Sequence, residues 1–320
     1  MPKAIESRKV GIVGCGFVGS ASAFSIMRSG LFSRMVLIDV DRDRAEGEAL
    51  DIGHGVPLSH PMEIEAGDYA DLADASVVVV TAGAGQKPGE TRLDLVQKNV
   101  GIFKSIIPQI NESGFDGIML VVANPVDILT DVAMQLSNLP EKRVIGSGTV
   151  LDSARLKYAL GKAIGVDPHH VHARMLGEHG DSSFVPWSIA EVSNVPIGQY
   201  QASLSGNDNI TMSLDYENIE QYMRTSGGKI IGRKGATFYA IAMSVCHICD
   251  CIFSNASEII TLSSMMHGEY GIDDVCLSVP TILNGKGMDG KLILPLTEEE
   301  LGKLRHSSDV LKDIIAQVDI

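Results

Sequence analysis

Three short stretches carry side chains that could act together on one small molecule. Residues 177–181 read GEHGD, which puts His179 between glycines and acidic neighbours, where the backbone turns sharply. Residues 151–155 read LDSAR, and Asp152 and Arg155, three apart at the start of a helix, share one helical face. Residues 85–92 read GQKPGETR, a loop with two glycines and a proline that ends in Arg92. A histidine titrating near neutrality can hand a proton to a carbonyl oxygen, and a neighbouring carboxylate stabilises its charged form. A guanidinium grips a carboxylate through its planar fork. A cation brought by loop closure offsets charge developing on the carbonyl oxygen while water is expelled. These parts suit hydride transfer to a 2-keto acid. Each also has a plainer reading. GEHGD is equally a surface turn, and Asp152 with Arg155 a surface ion pair worth roughly a few tenths of a kcal/mol. His169, His170 and His172 lie close by; His170 and His172 could alternate on a strand like a metal pair, but no carboxylate or cysteine stands at ligand spacing.

A dinucleotide would supply the hydride, and the first strand-like run leads into a turn suited to one. Residues 9–14 (KVGIVG) enter Gly14-Cys15-Gly16-Phe17-Val18-Gly19, a helix-like segment follows, and Asp39 ends the next run 20 residues beyond Gly19. In that setting Gly14 permits a tight turn, Gly16 lets the backbone approach a pyrophosphate, and Gly19 lets helix and strand pack closely. The helix N-terminus then faces the phosphates with its N–H groups. Asp39 would accept hydrogen bonds from a ribose diol and repel a 2′-phosphate, which selects NAD over NADP. Arg42 and Arg44 could soften that choice or simply be solvated. The plainer account of the glycines is an ordinary strand-to-helix turn.

Such parts need a layered scaffold to position them. KVGIVG, MVLIDV (35–40), VVVVTAG (77–83), GIMLVVAN (117–124) and RVIGSG (143–148) are Val/Ile-rich without polar alternation, as strands buried on both faces are. Amphipathic stretches such as 91–111 lie between them. The alternation predicts an α/β fold: a parallel sheet with helices on both faces, forming an NAD-binding Rossmann domain over 1–148. Long helical stretches (151–164, 217–255) and runs such as VCLSVPTIL (275–283) then predict an α/β substrate domain over 149–320. Its last helix opens with a capping box of Thr297 and Glu300.

A net charge of −14, with no basic run longer than two residues, disfavours nucleic acid and anionic membranes as partners. MPKAIESRK lacks the apolar core of a signal peptide, and SVVVVTAGAG (76–85) is too short to span a bilayer. Five cysteines, an odd number, argue against a disulfide framework, so a reducing cytoplasm is expected. CHICDC (246–251) lacks the distant second ligand pair of a structural zinc site and its surroundings read as buried helix, so no metal is expected.

The ordered motifs GCGFVG, TAGAGQKPGETRLDLVQKN (81–99), NPVD (124–127), IGSGTVLDSAR (145–155), GEHGD and KGATFYAIA (234–242) resemble the lactate/malate dehydrogenase family over essentially the whole chain. Within it they are most similar to the L-lactate dehydrogenases of bacterial type. The resemblance implies a cytoplasmic homotetramer that uses NAD and carries out the fermentative, reversible reduction of pyruvate to L-lactate. It implies His179 as proton donor and acceptor, Asp152 as its partner, Arg155 as the clamp on the substrate carboxylate and Arg92 as the cation polarising the carbonyl. Asn124 matches the junction of nicotinamide and substrate, Thr237 a substrate contact and Ile241 a nicotinamide contact. Val18, Asp39, Arg44, Tyr69, Gly83, Ala84, Ser105, Val122 and Ser147, with Gly14, Gly16 and Gly19, match positions around the cofactor.

In this family the residue six before the loop arginine reads the substrate's side chain. Malate dehydrogenases carry arginine there, whereas this chain has Gln86. The second carboxylate of oxaloacetate would lack a charged partner in a closed site, at a cost of roughly several kcal/mol. Gln86 therefore indicates pyruvate, with malate dehydrogenase the alternative because Lys87 could offer its ammonium instead. Many bacterial members are activated by fructose 1,6-bisphosphate through an arginine and a histidine; Lys157 and His172 match them, a lysine replacing the planar fork. Two other classes compete: an NAD-dependent glycosidase, which would need a metal, and a catalytically silent NAD-binding protein. Neither needs Asp152, Arg155 and His179 together. Product stereochemistry rests on the resemblance, and the reactivity of Cys15 depends on its burial.

Overall fold

The computed structural model describes residues 8–85, 89, 91–204, 214–254 and 257–320, and of Arg92 only its place in a helix. The Val/Ile-rich runs form β1 (Lys9–Val13), β2 (Arg34–Ile38), β4 (Val77–Val80), β5 (Ile118–Val121) and β6 (Val144–Gly146), joined by β3 (Glu63–Ala66). Their order in the sheet is β3-β2-β1-β4-β5-β6, all parallel. β1, β4, β5 and β6 are buried along their whole length, which is why they lack alternation. β3, at the sheet edge, is the short polar EIEA, exposed and half-buried by turns, and its apolar signal was too weak to predict a strand. The strand order reverses between β1 and β4, opening a crevice beyond their carboxyl ends.

Helices α1 (Phe17–Ser29), α2 (Arg42–His54), α3 (Arg92–Glu112) and α4 (Val126–Leu136) cover the two faces. Successive residues of a strand enter opposite cores: Val78 and Val80 pack with Val96, Val100 and Phe103 of α3 and Ile128 of α4, whereas Val77 and Val79 join Ile26 and Met27 of α1. The N-terminus of α3 is set by a capping box in which Thr91 and Asp94 satisfy each other's backbone N–H groups.

The second half contributes α5 (Val150–Ile164) and a small antiparallel sheet of β7 (Val171–His172), β8 (Glu191–Val192) and β9 (Val195–Pro196). It continues with α6 (Tyr216–Lys234), α7 (Tyr239–Phe253), β10 (Glu258–His267), β11 (Asp273–Asn284), β12 (Gly287–Lys291) and α8 (Glu298–Ile315). Strands β10–β12 extend the main sheet in antiparallel fashion, with Ser263 of β10 opposite Gly146 of β6. The capping box of Thr297 and Glu300 opens α8 as expected.

One expectation is corrected. The stretch 217–255 is two helices, because Gly235 turns to φ +85° and ends α6, and residues 236–238 redirect the chain before α7 starts. Glycine reaches that conformation without a steric penalty. Among the described residues no helix is long and apolar enough to cross a membrane.

The join between the sheet halves depends on a small residue. Gly148, just after β6, has φ +51°, and a Cβ there would lie 2.5 Å from the backbone nitrogen of Ser263 and 2.6 Å from the Ser278 hydroxyl. Gly148→Ala is expected to lower folding stability by about 2–4 kcal/mol, combining backbone strain with overpacking. The urea-denaturation midpoint measures this; an unchanged midpoint would contradict the assigned packing.

Candidate active site

The crevice at the strand-order reversal divides into two clefts. The larger, about 710 Å³, is lined by Gly14, Gly16, Asp39, Arg44, Tyr69, Gly83, Ala84 and Ser105 among others. Its floor is the turn after β1. Gly14 has φ +102°, and a Cβ on it would lie 2.6 Å from the backbone nitrogen of Ala82. A Cβ on Gly19 would lie within 1.8 Å of the Gly14 carbonyl oxygen, whereas a Cβ on Gly16 would meet nothing within 4 Å. The turn and the helix contact thus exclude side chains at Gly14 and Gly19, while Gly16 faces open space where a pyrophosphate can approach. Gly16 caps α1 without a side chain of its own, so the helix end is offered to an anion.

Asp39, at the end of β2, accepts from the backbone N–H of Cys15 at 2.6 Å and of Asp41 at 3.0 Å, which holds its carboxylate at the cleft edge. Burial, with Asp39 nearby, raises the Tyr69 hydroxyl's pKa and keeps it neutral. The two arginines separate. Arg42 is engaged with Glu46 at 3.0 Å, Asp68 at 3.1 Å and the Ala66 carbonyl, and only Arg44 lines the cleft. Cys15 is buried, and burial together with Asp39 and Glu48 pushes its thiol up to about 12, so it is a poor nucleophile.

The smaller cleft, about 210 Å³, gathers Val18, Val122, Asn124, Ser147, Asp152, Arg155, His179, Thr237 and Ile241. Segments far apart in sequence meet here: α5 brings Asp152 and Arg155, the turn between α6 and α7 brings Thr237, and the loop after β7 brings His179. Asp152 accepts from Arg155 Nη1 at 2.9 Å through one oxygen and meets His179 Nδ1 at 2.5 Å through the other. The Asp152 side chain is 10% exposed and that of His179 24%. The Asp152 charge raises the imidazole's pKa against the opposing effect of burial, with Asp127 adding to the rise. Burial pushes the Asp152 carboxyl up, but His179 and Arg155 outweigh it, and its pKa falls below the usual carboxylate range. With Nδ1 facing Asp152, Nε2 is the nitrogen left for a substrate.

The GEHGD loop is fastened from behind. Gly177 exchanges two backbone hydrogen bonds with Ser278, each 3.0 Å, and the Glu178 N–H donates to Ser307 Oγ of α8 at 2.6 Å. The His179 N–H donates to Asp127 Oδ2 of α4 at 2.7 Å. Asp127 is 2% exposed, its other oxygen accepts from Ser263 at 2.5 Å and Ser278 at 3.4 Å, and burial raises its pKa. Asp127 went unassigned in the sequence, although it is the last residue of NPVD. Asn99 was also missed: it takes the Ala84 N–H at 2.7 Å and donates to the Asn124 carbonyl at 2.7 Å, tying the two clefts together. Arg224 of α6 lines the smaller cleft but is engaged with Glu220 and the Ser183 carbonyl, both at 3.2 Å.

Gln86 and Lys87, and the Arg92 side chain, lie outside the described residues. His169 is exposed and paired with Asp167, and no third donor joins His170 and His172 in a metal-type cluster among the described residues. Lys157 and His172 line neither cleft. Burial lowers the Lys157 pKa, and Arg174, itself lowered by burial, adds to the effect. Among the described residues neither cation forms an ion pair.

Comparison with known proteins identifies the family. The NAD-binding-domain model of the lactate/malate dehydrogenases matches residues 8–146, and the model of their alpha/beta C-terminal domain matches 149–319. The chain is 49% identical to an L-lactate dehydrogenase of Thermoanaerobacterium saccharolyticum over 98% of its length and 99% of the relative's. It is 46% identical to one of Acetivibrio thermocellus, covering 98% of both chains. A crystal structure of a minor L-lactate dehydrogenase from Enterococcus mundtii, in a ligand-bound form, superposes with a TM-score of 0.92 at 39% identity, covering 98% of this chain and 99% of that one. The glycine cradle and the aspartate at its edge fit NAD, which is the cofactor of this enzyme, and as an NAD-dependent oxidoreductase the chain belongs to the lactate/malate dehydrogenase family.

Proposed function

We propose that the protein is an L-lactate dehydrogenase that reversibly reduces pyruvate to L-lactate in the cytoplasm. The observation that carries this reading is the cluster of His179, Asp152 and Arg155 in the smaller cleft. NAD held by the turn of Gly14 and Gly16 and by Asp39 would, when bound, supply or accept a hydride at the substrate's C2 carbon. His179 delivers a proton from Nε2 to the carbonyl oxygen in reduction and recovers it in oxidation. Asp152 holds the imidazolium through Nδ1 and fixes the ring's orientation. Arg155 binds the substrate carboxylate with the part of its fork that Asp152 leaves free. Arg92 offsets charge on the carbonyl oxygen, Asn124 and Thr237 hold the substrate, and Val18 and Ile241 pack at the nicotinamide end.

Gln86 is the basis for choosing pyruvate, since a neutral side chain gives a second carboxylate no partner. Lys157 and His172, with Arg174, support activation by fructose 1,6-bisphosphate: two half-buried cations close together favour a phosphate, and Arg174 supplies a guanidinium beside the lysine. Exposed Phe17 and Phe24 of α1 and Tyr239 and Met243 of α7, on helices that pack together, support assembly into a homotetramer.

Three outcomes are expected. NADH oxidation should favour pyruvate over oxaloacetate by about a hundredfold in kcat/KM, about 2.7 kcal/mol, and Gln86→Arg should reverse the preference. Equal rates in the wild type would end the lactate assignment, and no turnover despite NADH binding would favour a silent binder. For the pH dependence, reduction needs the imidazolium. kcat/KM for pyruvate should therefore hold on the acid side and fall as pH rises through the raised His179 value, with lactate oxidation rising through it. Asp127→Asn removes a charge that raises this value, so the break moves to lower pH, and Asp152→Asn moves it further. A break that stays put in both variants would remove His179 as proton donor. Fructose 1,6-bisphosphate should lower KM for pyruvate in the wild type and do so less in Lys157→Gln and Arg174→Gln; a KM indifferent to it would remove the regulatory role.

A further inference from the structure

Away from the clefts, the far end of α7 brings together three metal-ligand types. His247 and Cys251 stand four apart, so they occupy one face of the helix a turn apart, and Glu258 opens β10 beside them. Cys251 Sγ is 3.3 Å from Glu258 Oε2 and 3.9 Å from each ring nitrogen of His247. One ligand atom from each residue lies within 4.8 Å of the other two. Bond lengths of about 2.0–2.3 Å in a tetrahedral site put neighbouring ligand atoms roughly 3.3–3.8 Å apart, so the sulfur already stands near the edge length to both partners. Among the described residues this is the only such group of three or more His, Cys, Asp or Glu side chains. Its burial is graded: Cys251 is buried, Glu258 half-buried and His247 exposed, which leaves one side open to a water ligand. A thiol-to-carboxylate hydrogen bond would account for Cys251 and Glu258 but gives no reason for the imidazole beside them.

We infer that His247, Cys251 and Glu258 form a binding site for a divalent transition metal, with Zn²⁺ the cation this donor set suits best. Thiolate and imidazole select zinc-like ions over Mg²⁺ and Ca²⁺, which prefer all-oxygen shells. On binding, the Cys251 S–H bond breaks, its proton passes to solvent and a metal–sulfur bond forms. The dipositive ion is then balanced by one thiolate and one carboxylate, with His247 neutral. The metal ties the end of α7 to the start of β10. Ile241 lies ten residues back along the same helix, about 15 Å away, so the site acts on stability and not on the reacting atoms. In the sequence CHICDC lacked a further ligand; Glu258 supplies it only because the chain turns back into β10.

Cobalt provides the test. The purified full-length protein, stripped with a chelator, is titrated with Co²⁺ and followed by absorption. One equivalent should bind with a thiolate-to-cobalt charge-transfer band in the near ultraviolet, displaced by Zn²⁺, and Zn²⁺ should raise the thermal midpoint. Cys251→Ser should erase the band, and His247→Ala, a change at an exposed side chain, should weaken binding by at least roughly tenfold. Cys246→Ala should leave it intact, since that thiol turns toward the Ser25 carbonyl at 3.7 Å. Absence of the band in the wild type, its persistence in Cys251→Ser, or binding undiminished in His247→Ala would each overturn the site. Should Cys251→Ser fail to fold, His247→Ala decides alone.

Discussion

A buried carboxylate shared between two cationic groups is the constraint around which the site is built. Asp152 faces Arg155 through one oxygen and His179 through the other, and all three side chains are largely withdrawn from solvent. Removing either partner from such a buried pair typically costs about 3–5 kcal/mol, because the remaining charge is stranded. The arrangement therefore persists only if all three groups are held in place. Asp152 and Arg155 are held by the rigid first turns of α5. His179 is on a loop, and the loop is fastened by α4, α8 and β11 through Asp127, Ser307 and Ser278. Asp127 both anchors the His179 backbone and places a second negative charge behind the ring, so orientation and proton affinity are set by the same buried group.

The sheet explains how a dinucleotide cradle and this charge cluster come to share one crevice. Strands β1, β4, β5 and β6 end on the same side, with the glycine turn after β1, the Gly83–Ala84 backbone after β4, Asn124 after β5 and Ser147 after β6. Asn99 crosses between the loops after β4 and β5, so the two clefts are parts of one framework. The antiparallel extension through β10 and β11 then places Ser263 and Ser278 under α4, where they satisfy Asp127.

Charge placement separates the site from the rest of the molecule. Among the described residues of the smaller cleft each arginine has an acidic or backbone partner: Arg155 has Asp152, and Arg224 has Glu220 and the Ser183 carbonyl. Lys157 and Arg174, by contrast, are half-buried and have no ion-pair partner among the described residues. At the far end of α7 the balance reverses, and a thiol, a carboxylate and an imidazole converge where a cation would be neutralised.

Local pattern alone was enough for five of the six parallel strands, β1, β2, β4, β5 and β6. Unalternated Val/Ile runs mark strands buried on both faces, and GCGFVG between a strand and a helix demands the positive φ of Gly14 and the close helix contact at Gly19. The i,i+3 spacing of Asp152 and Arg155 likewise set their contact, because a helix fixes which side chains share a face. The sequence could not show the edge strand β3, whose pattern is mostly polar, or the break between α6 and α7, where Gly235 stands in an otherwise helical composition. That His179, and not His169, His170 or His172, meets Asp152 was implied only by the family resemblance and not by local pattern, and nothing in the sequence showed that Asp127 and Ser307 lie behind it. Those facts depend on contacts between residues 27 to 129 positions apart. Periodicity reports only which face of an element is apolar. Which polar groups meet across the core is decided when the packed layers close and each buried donor must find an acceptor.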